Sequence, residues 1–240
     1  MKPIPILMYH HVAPVPPELR ALRGLYVTPR AFARQMRLLR WLGFRGMSMS
    51  QAMPYLRGEA HGRVAVITLD DGYVDNLEHA LPALLAQGFG ATCYAVSALD
   101  NRYNHWDAER AGVREPLMST GQMRAWHEAG MEIGAHTRSH AHLTQCSDAD
   151  LRDQVEGCRN DLEDRVGAAV TQFCYPYGEH DQRVVNAVGE AGYVAATTTR
   201  RGRALPGSDP LRLPRIPISN RHLLPQVAAR LLSRYEDRHE

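Results

Sequence analysis

Seven short apolar runs alternate with amphipathic segments along this chain, and this alternation is the strongest constraint on its fold. The runs are predicted to be buried strands at 4–9, 64–69, 91–96, 131–135, 170–175, 193–198 and 213–218. Strands that are apolar on both faces are typical of parallel sheets covered by helices. Seven such units in 240 residues predict one α/β domain, residues 1–240, built on a closed or nearly closed barrel. An open, doubly wound sheet is the alternative.

The segments between the runs carry the signals of helix beginnings and ends. Helices are predicted at 29–42, 77–87, 120–129, 148–166 and 181–191. In the first of them, Thr28 can cap the amino end, Pro29 suits the first turn, and Gly43 follows the last turn. The stretches 13–24 and 200–210 are expected to be long loops, because they are rich in proline, glycine or arginine and lack apolar periodicity.

The composition is that of an ordinary soluble globular protein, with 44% hydrophobic and 22% charged residues. A net charge of +2 gives no argument for nucleic acid as a partner. The four cysteines show no C-x-x-C spacing, so we expect structural thiols rather than a zinc knuckle or a disulfide framework. The amino-terminal stretch lacks the long apolar region of a signal peptide, and no run is long enough to span a bilayer. We therefore expect a cytoplasmic location, free or at the membrane surface, rather than a periplasmic one.

Polar side chains follow several of the predicted strands, at the point where each strand ends. Asp70 and Asp71 come directly after the second run, and His136 opens the segment "HTRSH" after the fourth. His10 and His11 follow the first run, "YPYG" follows the fifth, and Arg215 lies in the last. Because catalytic groups in parallel α/β folds collect at the carboxyl ends of strands, these side chains are expected to share one site.

His136 and His140 are four residues apart, so on a helical turn both imidazoles would face the same way. Two neutral imidazoles and one carboxylate form a His₂-Asp ligand set that leaves a coordination position open. The second aspartate, kept off the metal, could then accept a proton from the attacking water. Such a site accepts zinc, cobalt, nickel or iron.

These residues resemble the motifs of the polysaccharide deacetylases, the fourth family of carbohydrate esterases. The first motif, T-F-D-D-G, is similar to residues 68–72, with Leu69 in place of Phe. The second, H-[ST]-x-x-H, matches residues 136–140 without change. The third, R-x-P-[YF], is similar to residues 174–177, with Cys174 where Arg usually stands. The opening "ILMYHHV" most resembles the branch that deacetylates β-1,6-linked N-acetylglucosamine exopolysaccharide.

The resemblance implies a distorted, TIM-barrel-like (β/α)₇ barrel and a metal-dependent amidase, with Zn²⁺ as the first choice of metal. By the same resemblance Asp71, His136 and His140 would be the metal ligands and Asp70 the general base. The backbone N–H of Tyr177 would help to hold the oxyanion.

Two departures from the family pattern leave roles to be filled. The late L-x-H motif, which supplies a general acid in many relatives, is absent, and His222 lies four residues beyond the last strand. Side-chain alternation allows only one of His10 and His11 to face the site, and we favour His10 as acid or substrate contact. We hypothesise that Arg215 replaces the arginine missing from the third motif; the alternative is a surface arginine.

Weaker signals indicate three candidate contacts with a substrate and one basic cluster. Tyr73 at the rim, Pro176 of the third motif, and Trp106 in a loop after the third strand are the expected contacts with a sugar. The cluster Arg200, Arg201 and Arg203 is either a solvated face or a contact for the phosphate of a lipid-linked or nucleotide-linked sugar.

The leading interpretation is a metal-dependent N-deacetylase of N-acetylglucosamine-type sugars in the biosynthesis of cell-surface polysaccharide or lipopolysaccharide. A deformylase or deacetylase of a lipid-carrier-linked amino sugar is the alternative within the family. A non-catalytic glycan-binding barrel is the alternative from another class, although binding alone does not need both Asp70 and Asp71. The expected partner is an N-acetylated glycan or glycolipid, and the sequence fixes neither its linkage nor the oligomeric state.

Overall fold

The computed structural model describes residues 2–98 and 102–238, in which eight strands pair in parallel. The strands are β1 Ile6–Tyr9, β2 Arg45–Met47, β3 Val64–Leu69, β4 Thr92–Ala95, β5 Glu132–Ala135, β6 Gln172–Cys174, β7 Ala195–Arg201 and β8 Leu213–Pro217. All seven predicted strands are confirmed, with ends that differ by up to three residues. The extra strand, β2, escapes prediction because it has three residues and a central glycine.

The sheet closes on itself because β1 pairs with both β3 and β8. Tyr9 is in register with Leu69 on one side, and Leu7 with Ile216 on the other. Seven strands therefore form a closed barrel, and β2 extends the pairing of the first half of β3. The predicted (β/α)₇ barrel is confirmed and the open doubly wound sheet is wrong. We call the end where the strands begin the foot, and the end where they finish the mouth.

Helices surround the barrel. They are α1 Pro29–Trp41, α2 Met49–Leu56, α3 Leu81–Leu85, α4 His105–Ala111, α5 Thr120–Glu128, α6 Asp148–Arg152, α7 Cys158–Val166, α8 Gln182–Glu190 and α9 Leu224–Leu232. The five predicted helices are confirmed, although π-helical turns precede α3 and join α6 to α7. The Thr28 hydroxyl accepts the backbone N–H of Ala31 at 3.3 Å, which is the predicted cap of α1.

Helix α2 closes the foot of the barrel. The Met49 N–H donates to the Thr92 hydroxyl at 2.8 Å, and Thr92 in turn donates to the Glu132 carboxylate at 2.5 Å. Met49 and Met53 pack on apolar side chains at the beginnings of β1 and β3. Since the foot is plugged in this way, the interior of the barrel is open only at its mouth.

The main core lies between the strands and the outer helices. It includes Phe32 and Met36 of α1, Trp126 of α5 and Val188 of α8, all with at most 1% of their surface exposed. The four cysteines are free, as predicted, and three of them are buried. Within residues 2–98 and 102–238, no helix combines the length and the apolar character that crossing a bilayer requires.

The crowded barrel interior gives the first testable prediction. A β-carbon added at Gly134 of β5 would lie 2.5 Å from Cδ1 of the buried Tyr94 ring. We therefore expect Gly134→Ala to lower the free energy of unfolding by about 1–3 kcal/mol, measured by urea denaturation. Gly121→Ala in α5 is the matched control, because nothing lies within 4 Å of the added carbon. It should leave stability unchanged or raise it by up to ~1 kcal/mol. An equal loss in both variants would contradict the argument.

Candidate active site

A cavity of about 180 Å³ opens at the mouth of the barrel. Its wall includes all four residues that the sequence places in the metal and base roles, namely Asp70, Asp71, His136 and His140. His10, Tyr177 and Arg215 also line it. These seven residues lie on or just after five strands, β1, β3, β5, β6 and β8, so closure of the barrel is what brings them together.

Asp71 and the two histidines form a compact cluster with the spacing of a metal site. Asp71 Oδ1 lies 3.3 Å from Nε2 of His136 and 3.4 Å from Nε2 of His140. Three ligand atoms bound tetrahedrally at metal-ligand distances of about 2.1 Å would be about 3.4 Å apart. All three side chains are buried, and Asp71 Oδ1 makes no hydrogen bond within the described part of the chain. A divalent cation fits this set of ligands.

The tautomer of His136 is fixed by its second ring nitrogen. Nδ1 lies 2.7 Å from the backbone carbonyl oxygen of Cys174, which can only accept, so Nδ1 carries the proton. In the neutral ring Nε2 then presents a lone pair toward Asp71 Oδ1. Two electron-rich atoms held this close repel each other unless a proton or a metal cation lies between them. This arrangement of a ligand histidine held by an outer carbonyl is usual in metal sites.

The two histidines converge through an irregular turn and not through the helical turn that their spacing suggested. Thr137 and His140 have φ angles of 66° and 58°, which no α-helix contains. The i, i+4 helical interpretation is therefore wrong, although both imidazoles do face Asp71. Six non-glycine residues in the described ranges have positive φ, and four belong to these motifs: Asp71, Thr137, His140 and Tyr177. Strained backbone of this kind is common where side chains must be aimed at a site.

Asp70 points into the barrel and is paired with Arg215. The guanidinium donates from Nη1 to Oδ1 at 2.7 Å and from Nη2 to Oδ2 at 2.8 Å. Both side chains are almost fully buried. Burial alone would raise the pKa of Asp70, but the Arg215 guanidinium, together with His10 and His136, lowers it below the ordinary value. Asp70 is therefore held as a carboxylate, separate from the group formed by Asp71, His136 and His140.

Arg215 lies beside the third motif, in space that is available because position 174 is a cysteine. Its Nη2 lies 3.2 Å from Cys174 Sγ, and its Nε donates to the Thr198 carbonyl at 2.8 Å. Nη1 also donates to the Thr68 hydroxyl at 3.0 Å. With 0% of its surface exposed, Arg215 is not the surface arginine of the alternative interpretation. The geometry supports the hypothesis that it supplies the charge missing at position 174.

His10 and His11 face opposite ways, as alternation predicts. Nε2 of His10 lies 3.8 Å from Asp70 Oδ2, inside the cavity. Burial lowers the pKa of His10 below its ordinary value. His11 instead stacks between the rings of Tyr26 and Tyr73, and its Nδ1 is 2.8 Å from Asp75. His11 thus has the structural role, and His10 alone reaches the site.

The ring of Tyr177 is exposed for 39% of its surface and lies on the cavity wall. It stacks on His142 with ring centroids 4.1 Å apart and meets His140 edge-on at 4.5 Å. Nδ1 of His142 lies 2.9 Å from the Glu179 carboxylate. This exposed aromatic edge forms one side of the mouth.

Three expected substrate contacts lie behind the cavity wall instead of on it. Tyr73 is 1% exposed, so its expected place at the rim is wrong. Burial, and then the Asp71 carboxylate, raise the pKa of its hydroxyl well above the ordinary value. Trp106 lies on α4 and not in a loop, and its ring stacks on His140 at 4.6 Å with an interplanar angle of 11°. Pro176 is buried and begins the turn that carries Tyr177.

The basic cluster of the late segment is largely paired within the protein. Arg201 ends β7 and forms a salt bridge with Glu236 at 2.8 Å, and Arg203 forms one with Asp237 at 2.6 Å. These ion pairs count against the alternative in which the two arginines contact a phosphate. His222 accepts the Ser219 N–H at 3.0 Å and does not line the cavity.

Five cavity residues were not anticipated from the sequence. They are Leu22, Leu25, Asp107, Arg110 and Thr199. Asp107 and Arg110 are three residues apart on one face of α4, a spacing that would have been informative had the helix been predicted. Leu22 lies in the stretch 13–24 that was expected to be a long loop, and Leu25 comes directly after it.

Comparisons with known proteins agree with this architecture. The family model described as polysaccharide deacetylase matches residues 57–196, more than half of the chain. YxkH of Bacillus subtilis is 24% identical over 203 residues, which are 84% of this chain and 66% of that protein. This chain therefore spans slightly less than two thirds of the length of that relative.

Two solved structures superpose closely on the fold. The deacetylase PplD of Streptococcus pyogenes, solved in complex with acetate, has a TM-score of 0.84 and 23% identity, covering 96% of this chain and 98% of its own. IcaB of Ammonifex degensii has a TM-score of 0.82 and 23% identity, covering 96% of this chain and 97% of its own. At these identities the likeness concerns the fold.

The cluster geometry predicts that the purified protein binds one divalent ion per chain. His140→Ala should weaken the binding of Zn²⁺ or Co²⁺ by at least ~100-fold, because a direct ligand is lost. His142→Ala is the matched control, since this neighbouring imidazole faces Glu179. Titration calorimetry, together with the absorption spectrum of the Co²⁺ form, measures both effects. Equal affinity in the wild-type protein and His140→Ala would refute the assignment.

Proposed function

Because this chain belongs to the polysaccharide deacetylase family, we propose that it is a metal-dependent N-deacetylase of N-acetylglucosamine-type glycans. The family implies hydrolysis of an amide bond in an acetylated glycan. The metal dependence, the substrate and a place in cell-surface polysaccharide assembly are parts of the proposal.

One observation carries the proposal: two adjacent buried carboxylates have been given different partners. Asp71 faces the two imidazoles, while Asp70 is paired with Arg215. A protein that only bound a glycan would have no need to bury both charges at such cost. Hydrolysis needs a cation site and a separate base, and this division provides both.

Asp71, His136 and His140 would hold the ion. When bound, a divalent ion of this kind lowers the pKa of water and polarises a carbonyl oxygen. The side chains of these three residues line the cavity, into which a substrate acetamide can enter. The backbone N–H of Tyr177 is the proposed donor to the acetamide oxygen as negative charge develops on it.

Asp70 acts as the general base. Its pairing with Arg215 holds both oxygens in one plane at the inner wall of the cavity and keeps the group ionised. Each carboxylate oxygen retains a further lone pair, with which Asp70 can accept a proton from the attacking water.

His10 acts as the general acid. It lies on the same wall, with Nε2 3.8 Å from Asp70 Oδ2, and it is the histidine of the first strand end that reaches the cavity. The leaving amine needs one proton before the carbon-nitrogen bond breaks, and the imidazolium form of His10 would donate it.

The solved structures support the choice of substrate class. PplD holds acetate, the acid that deacetylation releases. The ordered motifs and the first strand resemble the deacetylases of β-1,6-linked N-acetylglucosamine polymers. The lipid-carrier alternative loses its main support because Arg201 and Arg203 bind Glu236 and Asp237.

The direct experiment is amine release from β-1,6-linked N-acetylglucosamine oligomers by the Zn²⁺ or Co²⁺ form. His10→Gln should lower kcat by about 10²–10⁴-fold while metal affinity stays unchanged, because only proton donation is lost. His11→Gln is the matched control and should retain most of the activity per folded molecule. If His10→Gln turns over at the wild-type rate, His10 is not the acid. If metal is retained but no glycan amide is cleaved, the enzymatic proposal fails.

Arg215 is proposed as a positioning residue that acts through Asp70. Arg215→Lys keeps a charge but loses the fork of two hydrogen bonds, so kcat should fall by one to two orders of magnitude, on the order of 1.4–2.7 kcal/mol. Arg215→Met, which leaves a buried carboxylate unpaired, should also lower stability by about 3–5 kcal/mol. Comparing the pH profiles of kcat for the folded Lys variant and the wild type separates positioning from stability. An unchanged rate and profile would refute the role.

A further inference from the structure

The foot of the barrel, opposite the active site, has an unusual concentration of positive charge. Five exposed cationic side chains lie there. Lys2 precedes β1, Arg37 and Arg40 lie in the last turns of α1, Arg45 begins β2, and Arg63 directly precedes β3. We call these five residues the basic foot. None has an ion-pair partner in residues 2–98 and 102–238, although the whole chain carries a net charge of only +2.

Contacts join Lys2, Arg45 and Arg63 into one surface that adjoins the end of α1. The backbone N–H of Arg45 donates to the Arg63 carbonyl at 2.9 Å, and the Arg63 guanidinium lies 4.7 Å from the centre of the Phe44 ring. Phe44 is joined to the end of α1 through its N–H, which donates to Leu39. Lys2 and Arg63 line the same two adjoining hollows, of about 400 and 330 Å³.

Two acidic residues near this surface, Glu59 and Asp237, are already paired. Glu59 bonds Arg57 at 2.8 Å, and Asp237 bonds Arg203 at 2.6 Å. The charge of the basic foot is therefore not cancelled locally, and it favours an anionic partner.

Apolar side chains are exposed on the same surface. Trp41, at the end of α1, has 80% of its surface exposed, and Leu232, at the end of α9, has 47%. Leu232 lines the hollow that also contains Lys2 and Arg63. An indole beside cations is the combination that suits the boundary between lipid headgroups and acyl chains, whereas a polyanion in water would leave both apolar groups exposed.

We infer that the basic foot, with Trp41 and Leu232, docks this protein on an anionic phospholipid bilayer. The apolar face of α1 is buried in the core, so the helix does not leave the protein to insert. Cations meet the headgroup phosphates, and Trp41 enters the interface. Because the mouth lies at the other end of the barrel, the docked protein presents its active site away from the bilayer, toward glycan in solution.

The test uses the full chain and vesicles of roughly equal parts phosphatidylglycerol and phosphatidylcholine, against vesicles of phosphatidylcholine alone. Cosedimentation should occur with the anionic vesicles, weaken steeply with added salt, and be absent with the neutral ones. Arg40→Glu and Arg63→Glu should each reduce the partition constant by on the order of tenfold. Arg152→Glu is the matched control, since it makes the same change of charge on α6, where the neighbouring groove is lined by acidic residues.

Tryptophan fluorescence adds a measurement that electrostatic attraction alone would not change. Vesicle binding should shift the emission to shorter wavelength, and Trp41→Phe should remove the shift. Hydrolysis of a soluble oligomer by Arg40→Glu and Arg63→Glu should equal that of the wild type, which separates docking from catalysis. The inference is overturned if anionic vesicles do not bind, or if Arg152→Glu reduces binding as much. Equal binding to polyphosphate, with no shift from Trp41 on vesicles, would also overturn it.

Discussion

The hydrogen-bonded pair of Asp70 and Arg215 is the interaction on which the rest of the site depends. Two adjacent carboxylates at the end of a buried strand would repel each other and would bear a large desolvation cost if neither had a partner. Arg215 neutralises one of them from inside the barrel, with two short hydrogen bonds. Asp71 is then free to face the imidazoles of His136 and His140. The pair thus gives the two adjacent carboxylates different partners, as the proposed roles of base and metal ligand require.

The different directions of the Asp70 and Asp71 side chains require a particular backbone conformation as well as charged partners. A strand directs successive side chains to opposite faces, so Asp70 and Asp71 could not share one cavity if the strand simply continued. Asp71 has a φ of 76°, which turns its carboxylate back toward the mouth. The same device recurs at His140 and Tyr177, each of which has a positive φ in a short turn. Barrel closure fixes these turns, and the free energy of the core offsets their strain.

The fold and most of the candidate site could be predicted from the sequence, because both depend on local patterns. Continuous apolar runs gave the strands, and residues at their ends had to meet once the sheet closed. The orientation of the site side chains was harder to predict, because it depends on φ angles in short turns. The periodicity of apolar residues carries no information about those angles. The helical interpretation of the segment from His136 to His140 failed for this reason. Trp106 was misplaced because α4 is short and half-buried, and Asp107 and Arg110 went unnoticed with it.

The sequence could suggest the role of Arg215 but could not establish it, because that role depends on the pairing of strands far apart in the chain. Cys174 and Arg215 lie on different strands, and only the pairing of β6, β7 and β8 places the thiol 3.2 Å from the guanidinium. A small residue on β6 leaves room for a long one that arrives from β8, so the same charge reaches Asp70 by another route. Nearby atoms then tie the arginine in place, including the Thr68 hydroxyl and the Thr198 carbonyl. An active site of this kind is defined by where charges and lone pairs stand, and a change of strand at one position need not change the chemistry.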